Sequence, residues 1–418
     1  MKKLWILNHH SGLDGDRHFE LAKELVKQGL EVVVFMSGYS HRGETYLYEK
    51  EAAVRKVAEG IHYVWLHTSP AYHGNGAARI LNMMDYSRLM KKYEKKFYER
   101  FGRPDTVIGS SVHPFAWESA YGIARKCGVP FICEIRDFWP LSFIEIYGWS
   151  KYHPICLLFS ALERRAYRRA DAVVTTMEFG YKYLEQFPYV NRERVFWIPN
   201  GYHTDRIDQV LKEGKTELPE ELERYLSEHW CAVYAGSFVD SERPLDMIDA
   251  AAYLKKQGMD QIRFAFIGDG HLRVQMEEKV KKEKLDNVRI FGRIESDQVA
   301  AALSRAGACM AALKDDRVLN DLGLSLNKLN DYLYSGTPTV FACNSVNVVG
   351  ESGGGIVTPC SDPTAFAEAI LQIYRMTEEE RRDMGEKGRR EIREKYNYAL
   401  LAKQYLEILN TCADGKGR

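Results

Sequence analysis

A lysine stands where a loop turns into a predicted helix, in the stretch GLSLNKLNDYLYSGTPTVFA at residues 323–342. Ser325 or Asn327 can cap this helix, and the free N–H groups of a helix N-terminus suit an anion. Lys328 adds a full positive charge in the first turn. Asp331, one turn later, can accept a hydrogen bond from a sugar hydroxyl. This chemistry predicts a diphosphate site with a ribose beside it, and the alternative is that Lys328 is a solvated surface residue.

Other candidates for the same site come earlier in the second half of the chain. Arg243, in SERPL, is a second cation at the start of a predicted helix. Three predicted strands end in glycine-bearing turns, where a ligand can approach the backbone. These turns contain Gly236, Gly268, Asp269, Gly270 and Arg293. Each turn alone fits a tight strand-to-helix connection, but three of them in one domain favour a ligand.

The first half offers a different set of candidates. His113 follows the predicted strand TVIGS, and Glu134, Arg136 and Asp137 follow the predicted buried strand PFICEI. Charged residues in such a place must be paired or line a cleft. The structural alternatives are a loop histidine bonded to the backbone and a salt bridge within the domain.

The elements that position these residues alternate along the chain. Apolar runs rich in β-branched residues are separated by amphipathic helical stretches, which predicts parallel sheets covered on both faces. The fold class is therefore α/β, with two doubly wound domains that face a cleft, where this architecture binds ligands. We predict a first domain at residues 1–203, a polar linker at 204–229, a second domain at 230–385 and C-terminal helices at 386–418 that cross back to the first domain.

Composition excludes several classes of protein. The 58 basic residues balance 58 acidic ones in the 418-residue chain, so nucleic acid is not an expected partner. The eight cysteines show no CxxC spacing and are interpreted as buried apolar residues in a reducing compartment. No apolar run approaches the roughly 20 residues of a membrane span, and the start MKKLWILNHH does not fit a signal peptide. A cytoplasmic location is expected.

Two basic helices leave attachment to a membrane open. The stretches RLMKKYEKKFYERFGR at residues 88–103 and ERRAYRRA at 163–170 interleave cations with aromatic residues. They are either solvated faces or contacts with the anionic inner face of the plasma membrane.

The motifs resemble those of the retaining glycosyltransferases of family 4, which have the GT-B fold. The matching pieces are YAGS, FIGDG, DNVRIFGRI, SLNKLNDYLYSGTPTV and GGGIVTPCSDPTAFAEAI in the second half, with EIRDFWP, RRADAVVTT and IPNG in the first. The resemblance is strongest to a subgroup that includes bacterial L-fucosamine transferases of surface-polysaccharide biosynthesis.

The resemblance implies roles for particular residues. Lys328 and Arg243 would stabilise the leaving diphosphate, and Asp331 would bind the ribose. His113 would lie near the transferred sugar, and the glycine loop with Gly12 and Gly15 would face the donor phosphates.

Two positions depart from the pattern of the family. Gly323 stands where the family has its first carboxylate, so the group that contacts the transferred sugar stays open. Ser237 stands at one position of the family's basic pair, and Arg243 lies near the other.

The resemblance therefore implies a metal-independent, retaining, hexosyltransferase-type enzyme that acts without a cofactor. A UDP-linked donor sugar would be the co-substrate, and a lipid-linked or polysaccharide glycan bound by the first domain would be the acceptor. Front-side attack, with the leaving phosphate taking the acceptor proton, is the mechanism that the family implies. The alternatives are a UDP-sugar epimerase of the same build and a catalytically silent nucleotide-sugar-binding protein. A nicotinamide enzyme is disfavoured because neither domain begins with GxGxxG.

Overall fold

A computed structural model describes residues 2–13, 15–41, 43–48, 52–74, 76–145, 148–214 and 216–416. The chain divides into two compact units. Unit 1 consists of Met1–Gly201 and Tyr398–Arg418, and unit 2 consists of Tyr202–Asn397.

The strands of unit 1 are β1 (Lys2–Leu7), β2 (Leu30–Ser37), β3 (Tyr39–Ser40), β4 (Thr45–Tyr46), β5 (Ala52–Ala58), β6 (Ile61–Leu66), β7 (Thr106–Ser110), β8 (Phe131–Ile135), β9 (Ala172–Thr175) and β10 (Val195–Trp197). Its first helices are α1 (Arg17–Lys27), α2 (Ala77–Phe101), α3 (Pro114–Cys127), α4 (Leu141–Glu145), α5 (Pro154–Arg169) and α6 (Gly180–Leu184). The main sheet has the order β10-β9-β8-β7-β1-β2-β6-β5. Its pairs are parallel except that β5 runs antiparallel to β6.

The strands of unit 2 are β11 (Trp230–Ser237), β12 (Ile262–Asp269), β13 (Val288–Phe291), β14 (Ala308–Ala312), β15 (Thr339–Ala342) and β16 (Gly355–Thr358). Its helices are α7 (Thr204–Glu213), α8 (Glu220–Glu228), α9 (Pro244–Lys256), α10 (Arg273–Lys282), α11 (Ser296–Ser304), α12 (Arg317–Leu322), α13 (Asn327–Tyr334), α14 (Val348–Ser352), α15 (Pro363–Arg375) and α16 (Glu378–Lys395). The parallel sheet has the order β13-β12-β11-β14-β15-β16. The last helix of the chain, α17 (Tyr398–Lys416), belongs to unit 1.

Strand β11 shows why its apolar run forms a sheet covered on both faces. Ala232 and Tyr234 belong to the core cluster that includes residues of α9 and α15. Cys231, Val233 and Ala235 belong to the cluster that includes residues of α11 and α13. Successive side chains of a strand point to opposite faces, so a strand buried on both must be apolar throughout. The predicted α/β class with two doubly wound parallel sheets is confirmed.

Helix α17 packs beside α1 on one face of the sheet of unit 1. Leu401, Tyr405 and Ile408 of α17 share a buried cluster with Leu21 and Leu25 of α1. The last segment of the sequence therefore supplies part of the core around the first strand.

The predicted linker at residues 204–229 is not a linker in the structure. It forms α7 and α8, and Ile207, Leu222 and Leu226 pack into the core of unit 2. The charged residues that suggested a linker occupy the exposed faces of two short amphipathic helices. The structure also places the whole of α16 in unit 2, so the predicted boundary at residue 385 falls inside a helix, and the chain returns to unit 1 at Tyr398.

Each sheet has a point where the strand order reverses. In unit 1 it lies between β1 and β7, and in unit 2 between β11 and β14. Ligands of open α/β sheets bind beyond the carboxyl ends of the strands at such a switch point. The loops after these four strands are therefore the places to look for functional side chains.

Candidate functional site

Lys328 lies beside the switch point of unit 2 and contacts a carboxylate. Its Nζ lies 2.5 Å from Glu242 Oε2 and donates to the Tyr234 hydroxyl at 3.2 Å. The Lys328 side chain is 15% exposed and that of Glu242 13%. Burial lowers the pKa of Lys328, and Glu242 opposes that shift. The lysine is therefore not a solvated surface residue, and its charge is held against β11.

A buried tyrosine fixes α13 against β11. The Tyr332 hydroxyl donates to Ala235 O at 2.9 Å and accepts from Ala235 N–H at 2.8 Å. The prediction that Ser325 or Asn327 caps α13 is wrong, because Leu326 holds the cap position and no side chain makes a capping hydrogen bond. Asn327 is already the first residue of the helix.

Asp331 receives a hydrogen bond from a residue that the sequence analysis missed. The Tyr202 hydroxyl donates to Asp331 Oδ1 at 2.9 Å. Burial raises the pKa of Asp331 to about 6, and the contacts with Tyr202 and Lys328 limit this rise. The only sequence signal for Tyr202 is its place directly after IPNG.

Two different structural constraints explain why glycine occupies these positions in unit 2. A Cβ on Gly236 would lie 2.7 Å from Lys328 Nζ and 2.8 Å from the Tyr234 hydroxyl. Gly236 therefore leaves room for the lysine at the end of β11. A Cβ on Gly268 would meet Gly236 O, and one on Gly270 would meet Phe238 O, both inside contact distance. Backbone packing accounts for Gly268 and Gly270 without a ligand, contrary to the sequence interpretation.

Arg243 does not stand beside Lys328 as a second cation. Its Nε and Nη2 donate to the two carboxylate oxygens of Asp246, each at 2.8 Å. The Arg243 backbone has φ 46°, a left-handed conformation that is uncommon outside glycine. This turn before α9 presents Glu242, rather than Arg243, to Lys328. The prediction of Arg243 as a phosphate ligand is therefore corrected, because its guanidinium is engaged within its own helix.

Arg293 and Asp269 are not brought to Lys328 either. Arg293 is exposed after β13, an edge strand that β12 separates from β11. Asp269 ends β12, and its Oδ1 accepts from Gly270 N–H at 2.8 Å. These two predicted donor ligands therefore belong to other parts of the same sheet edge.

The absent carboxylate at Gly323 has a backbone explanation. Gly323 has φ 89°, in the left-handed region that favours glycine. A glutamate at this position would be strained. The carboxylate nearest Lys328 comes instead from Glu242, on the other side of the switch point.

His113 lies at the switch point of unit 1, where it pairs with a second histidine. His113 Nε2 lies 2.7 Å from His9 Nδ1, so one ring donates to the other. His9 follows β1, His113 follows β7, and both are fully buried. Burial, His10 and Arg79 hold the pKa of His113 well below its usual value, which keeps the ring neutral at pH 7. The alternative of a loop histidine bonded to backbone does not describe this pair.

Arg136 and Asp137 lie near the histidines, in the loop after β8. Both are half-buried, and Arg136 N–H donates to Ser111 Oγ at 2.9 Å. Burial raises the pKa of Asp137, and Arg136 and Arg79 oppose the shift. These two residues keep their predicted place at the carboxyl edge of unit 1.

Glu134, in contrast, is closed off from any acceptor. It accepts from Arg17 Nε at 3.3 Å, His18 Nε2 at 3.1 Å and Ser110 Oγ at 3.1 Å, and Tyr405 donates to its second oxygen. Its side chain is fully buried. Burial alone would raise the pKa of Glu134, but Arg17, His18 and Tyr405 hold it well below its usual range. The prediction that Glu134 contacts the acceptor is corrected, since the domain's own donors occupy it.

The loop with Gly12 and Gly15 connects β1 to α1. Ser11 Oγ donates to Asp16 Oδ1 at 2.9 Å, and Asp16 caps α1 through His18 N–H at 3.0 Å. Gly15 has φ 82°, which a glycine adopts without strain. The role of Gly12 towards the donor phosphates stays a prediction.

The residues that the structure describes contain no group of three or more histidine, cysteine, aspartate or glutamate side chains arranged to hold a metal ion. No helix among them is long and apolar enough to cross a membrane.

Family models match both halves of the chain. The model described as Glycosyltransferase Family 4 matches residues 18–206, and the model described as Glycosyl transferases group 1 matches residues 215–391. No curated protein matches the chain.

Solved structures share the fold along nearly the whole length. A sucrose-phosphate synthase from Thermosynechococcus elongatus is 15% identical with a TM-score of 0.71, covering 98% of this chain and 99% of that one. An α,α-trehalose-phosphate synthase (UDP-forming) from Burkholderia vietnamiensis is 13% identical with a TM-score of 0.73, and the match covers 99% of this chain and 100% of that one. Anabaena Alr3699/HepE in complex with UDP and glucose is 14% identical with a TM-score of 0.64, covering 98% and 100%. None of these three is an epimerase.

Proposed function

Because the chain is a glycosyltransferase of the GT-B type, we propose that it transfers a sugar from a UDP-linked donor with retention of configuration. The observation that carries this proposal is the half-buried Lys328 at the switch point of unit 2, with Asp331 one turn away. A cation and a carboxylate in this order fit a diphosphate and its ribose. The complex of the similar Anabaena protein with UDP and glucose supports uridine as the nucleoside of the donor.

Lys328 would take the negative charge that develops on the leaving diphosphate. Such electrostatic stabilisation is usually the largest single contribution to catalysis. The short α13 adds the N–H groups of its first turn, which have no side-chain cap. The diphosphate would then compete with Glu242 for the lysine, and Glu242 would be released towards the hydroxyl groups of the transferred sugar.

Retention without an enzyme nucleophile fits this set of side chains. Asp331 is occupied by the ribose in this arrangement, and Gly323 offers no carboxylate. The acceptor hydroxyl would attack from the face that the diphosphate leaves, and a phosphate oxygen would take its proton. His113 would lie near the transferred sugar, where its neutral ring adds no charge.

We assign the acceptor to unit 1 and propose a glycan on a lipid carrier, within cell-surface glycan biosynthesis. Helices α2, α3 and α5 run side by side: Ser119 Oγ donates to Ser87 Oγ at 2.8 Å, and the rings of Phe115 and Phe159 lie 5.7 Å apart. The amino-terminal parts of α2 and α5 expose large apolar side chains, and basic residues follow. The exposed apolar residues are Leu81, Met84, Leu157 and Leu158. Apolar side chains at the start of each helix could enter the membrane interface, and the basic residues further along the helix could contact anionic lipid headgroups.

The decisive experiment is a donor screen followed by mass spectrometry. The protein is incubated with a panel of nucleotide sugars, with and without membrane extract. Transfer that requires extract and proceeds with a UDP-sugar is expected. Conversion of free UDP-sugar to an isomer would instead support the epimerase, and binding without turnover would support the silent partner.

A flotation experiment tests the membrane contact separately. Binding to vesicles that contain anionic lipid is expected, with release by salt because the contact is electrostatic. Equal flotation with neutral and anionic vesicles would rule out this contact and leave the donor proposal intact.

A further inference from the structure

Two arginines lie near a cluster of three histidine rings in unit 1, in which the rings of His10 and His113 each lie 4.7 Å from that of His9. Arg79 lies in the first turn of α2, and Arg136 lies in the loop after β8. Both act on His10, whose pKa is lowered mainly by burial and further by these guanidinium groups. Both also act on Asp137, where they oppose the effect of burial. The two cations, His10 and Asp137 therefore form one group at the carboxyl edge of the sheet, which we call the recess.

The recess carries more positive than negative charge. Burial and neighbouring groups hold the pKa values of His9, His10 and His113 well below the usual value, so the three rings are neutral at pH 7. Arg79 acts on all three rings, and Arg136 acts on His10. Asp137 is the carboxylate on which both arginines act, so one negative charge faces two positive ones.

The Arg136 guanidinium has no hydrogen-bond or ion-pair partner within the part of the chain that the structure describes. It is half-buried, and its backbone N–H donates to Ser111 Oγ. A partly desolvated cation that no anion contacts directly is unfavourable unless a ligand supplies that contact. A guanidinium fits two oxygens of a phosphate or carboxylate through parallel hydrogen bonds.

Neutral donors complete the recess. His10 Nε2 and the Tyr72 hydroxyl lie 3.1 Å apart, and the His10 ring stacks on that of His41 at 5.3 Å. His113 Nδ1 is fully buried and has no partner among the described residues. Imidazole and phenol groups can donate to an anion without adding charge. Two guanidinium groups and these neutral donors together offer more hydrogen bonds than the roughly four lone-pair sites of a carboxylate can accept, which favours the oxygens of a phosphate group.

We infer that this recess, formed by Arg79, Arg136, His10, Tyr72 and His113, binds a phosphate group of the acceptor. The switch point between β1 and β7 is where a ligand of this sheet is expected. The inference rests on the proposed function only in calling the ligand an acceptor. Two sources share the chemistry: the phosphate of a polyprenyl carrier and the phosphate of a phosphorylated sugar.

The test uses inorganic phosphate as the probe and the full chain. Phosphate is titrated calorimetrically in the presence of saturating UDP, which occupies the diphosphate site of unit 2. We expect binding by the parent and a loss of about tenfold or more in affinity for Arg136→Gln, as for a charge-assisted contact. Arg79→Gln should have a similar effect. Arg100→Gln, an exposed arginine on the same helix, is the matched control and should bind phosphate like the parent.

Competition experiments separate the two sources of phosphate. Displacement of phosphate by glucose 6-phosphate alone would indicate a sugar phosphate, and displacement by a short-chain polyprenyl diphosphate in micelles would indicate the carrier. The inference is overturned if phosphate does not bind, or if Arg136→Gln and Arg79→Gln, shown to be folded by circular dichroism, bind it like the parent. UDP affinity from the same titrations reports on the proposed donor function by itself. If UDP does not bind, the phosphate titrations without UDP still decide the inference.

Discussion

Two ion pairs stand near the carboxyl edges of the two sheets, and they differ in the number of other partners. In unit 1, Glu134 is fully buried and accepts from Arg17 and from three further side chains. In unit 2, the side chains of the Lys328–Glu242 pair are 15% and 13% exposed, and Lys328 donates a hydrogen bond to the Tyr234 hydroxyl.

The difference separates an ion pair that holds the fold from one that can exchange its partner. Opening the Arg17–Glu134 pair would leave a charge in the interior without compensation, which is strongly unfavourable. Opening the Lys328–Glu242 pair would leave both charges within reach of water or of a ligand. An anion can therefore take the place of Glu242 at Lys328, whereas nothing from outside reaches Glu134.

The largest effect is expected when the buried pair is broken. Arg17→Met should lower the free energy of unfolding of unit 1 by about 3–5 kcal/mol, because Glu134 would remain buried and charged. The arginine also donates to Ile198 O at 2.9 Å, and this carbonyl would lose its partner. Chemical denaturation measures the loss, with Arg100→Met on the surface of α2 as the control. A loss below about 1 kcal/mol, as for surface pairs, would place this pair in the same class as Lys328–Glu242.

The next largest effect should appear in ligand affinity rather than stability. Lys328→Ala removes a charge-assisted contact of about 1.5–3 kcal/mol, so UDP affinity should fall by roughly one to two orders of magnitude. Uridine, which lacks phosphates, should lose little. Calorimetry with both ligands checks this. A Lys328→Ala variant that binds UDP like the parent would show that the diphosphate site lies elsewhere.

A smaller change in UDP affinity, of opposite sign, is expected when Glu242 is substituted. Glu242→Gln keeps the shape but removes the negative charge that competes with the diphosphate, so UDP affinity should rise by about tenfold, or roughly 1.4 kcal/mol. The gain should vanish when Lys328→Ala is added, since the two residues act on each other. Weaker UDP binding by Glu242→Gln would mean that the pair is needed intact and is not exchangeable.

The smallest effect concerns Asp331 and pH. Its pKa is raised to about 6 by burial, so the folded state binds more protons than the unfolded state between about pH 4 and 6. The stabilisation from this group is complete below about pH 4 and is lost as the pH rises through 6. Thermal unfolding of Asp331→Asn should lack this dependence, and the variant should bind uridine and UDP more weakly by a similar factor. An unchanged pH profile would indicate that Asp331 titrates normally.

The sequence predicted the sheets well because their cause is local. Runs such as CAVYA and TPTVFA are almost entirely apolar. When such runs alternate with amphipathic helices, a parallel sheet covered on both faces is the arrangement that buries them. The position of Lys328, after a strand and at the start of a helix, could also be predicted because it depends only on neighbouring elements.

The hydrogen-bond and ion-pair partners of the candidate residues could not be predicted from the sequence, because they come from distant segments. Glu134 is held by residues of α1 and α17, and nothing near EIRDFWP in the sequence indicates them. Glu242 was missed because the left-handed turn at Arg243 decides which of two adjacent side chains reaches Lys328. The linker was predicted wrongly because charge alone was taken as a sign of exposure, although apolar residues recur at helical spacing within it.

The return of α17 to unit 1 has a consequence for the order of folding during synthesis. A Cβ on Gly201 would overlap the ring of Tyr398, so the chain leaves unit 1 and re-enters it at adjoining places. Unit 2 is thus one continuous stretch inserted into unit 1, and it can fold as soon as it has emerged from the ribosome. The buried network of Arg17 and Glu134 in unit 1 is completed only when Tyr405, which follows unit 2 in the chain, donates to Glu134.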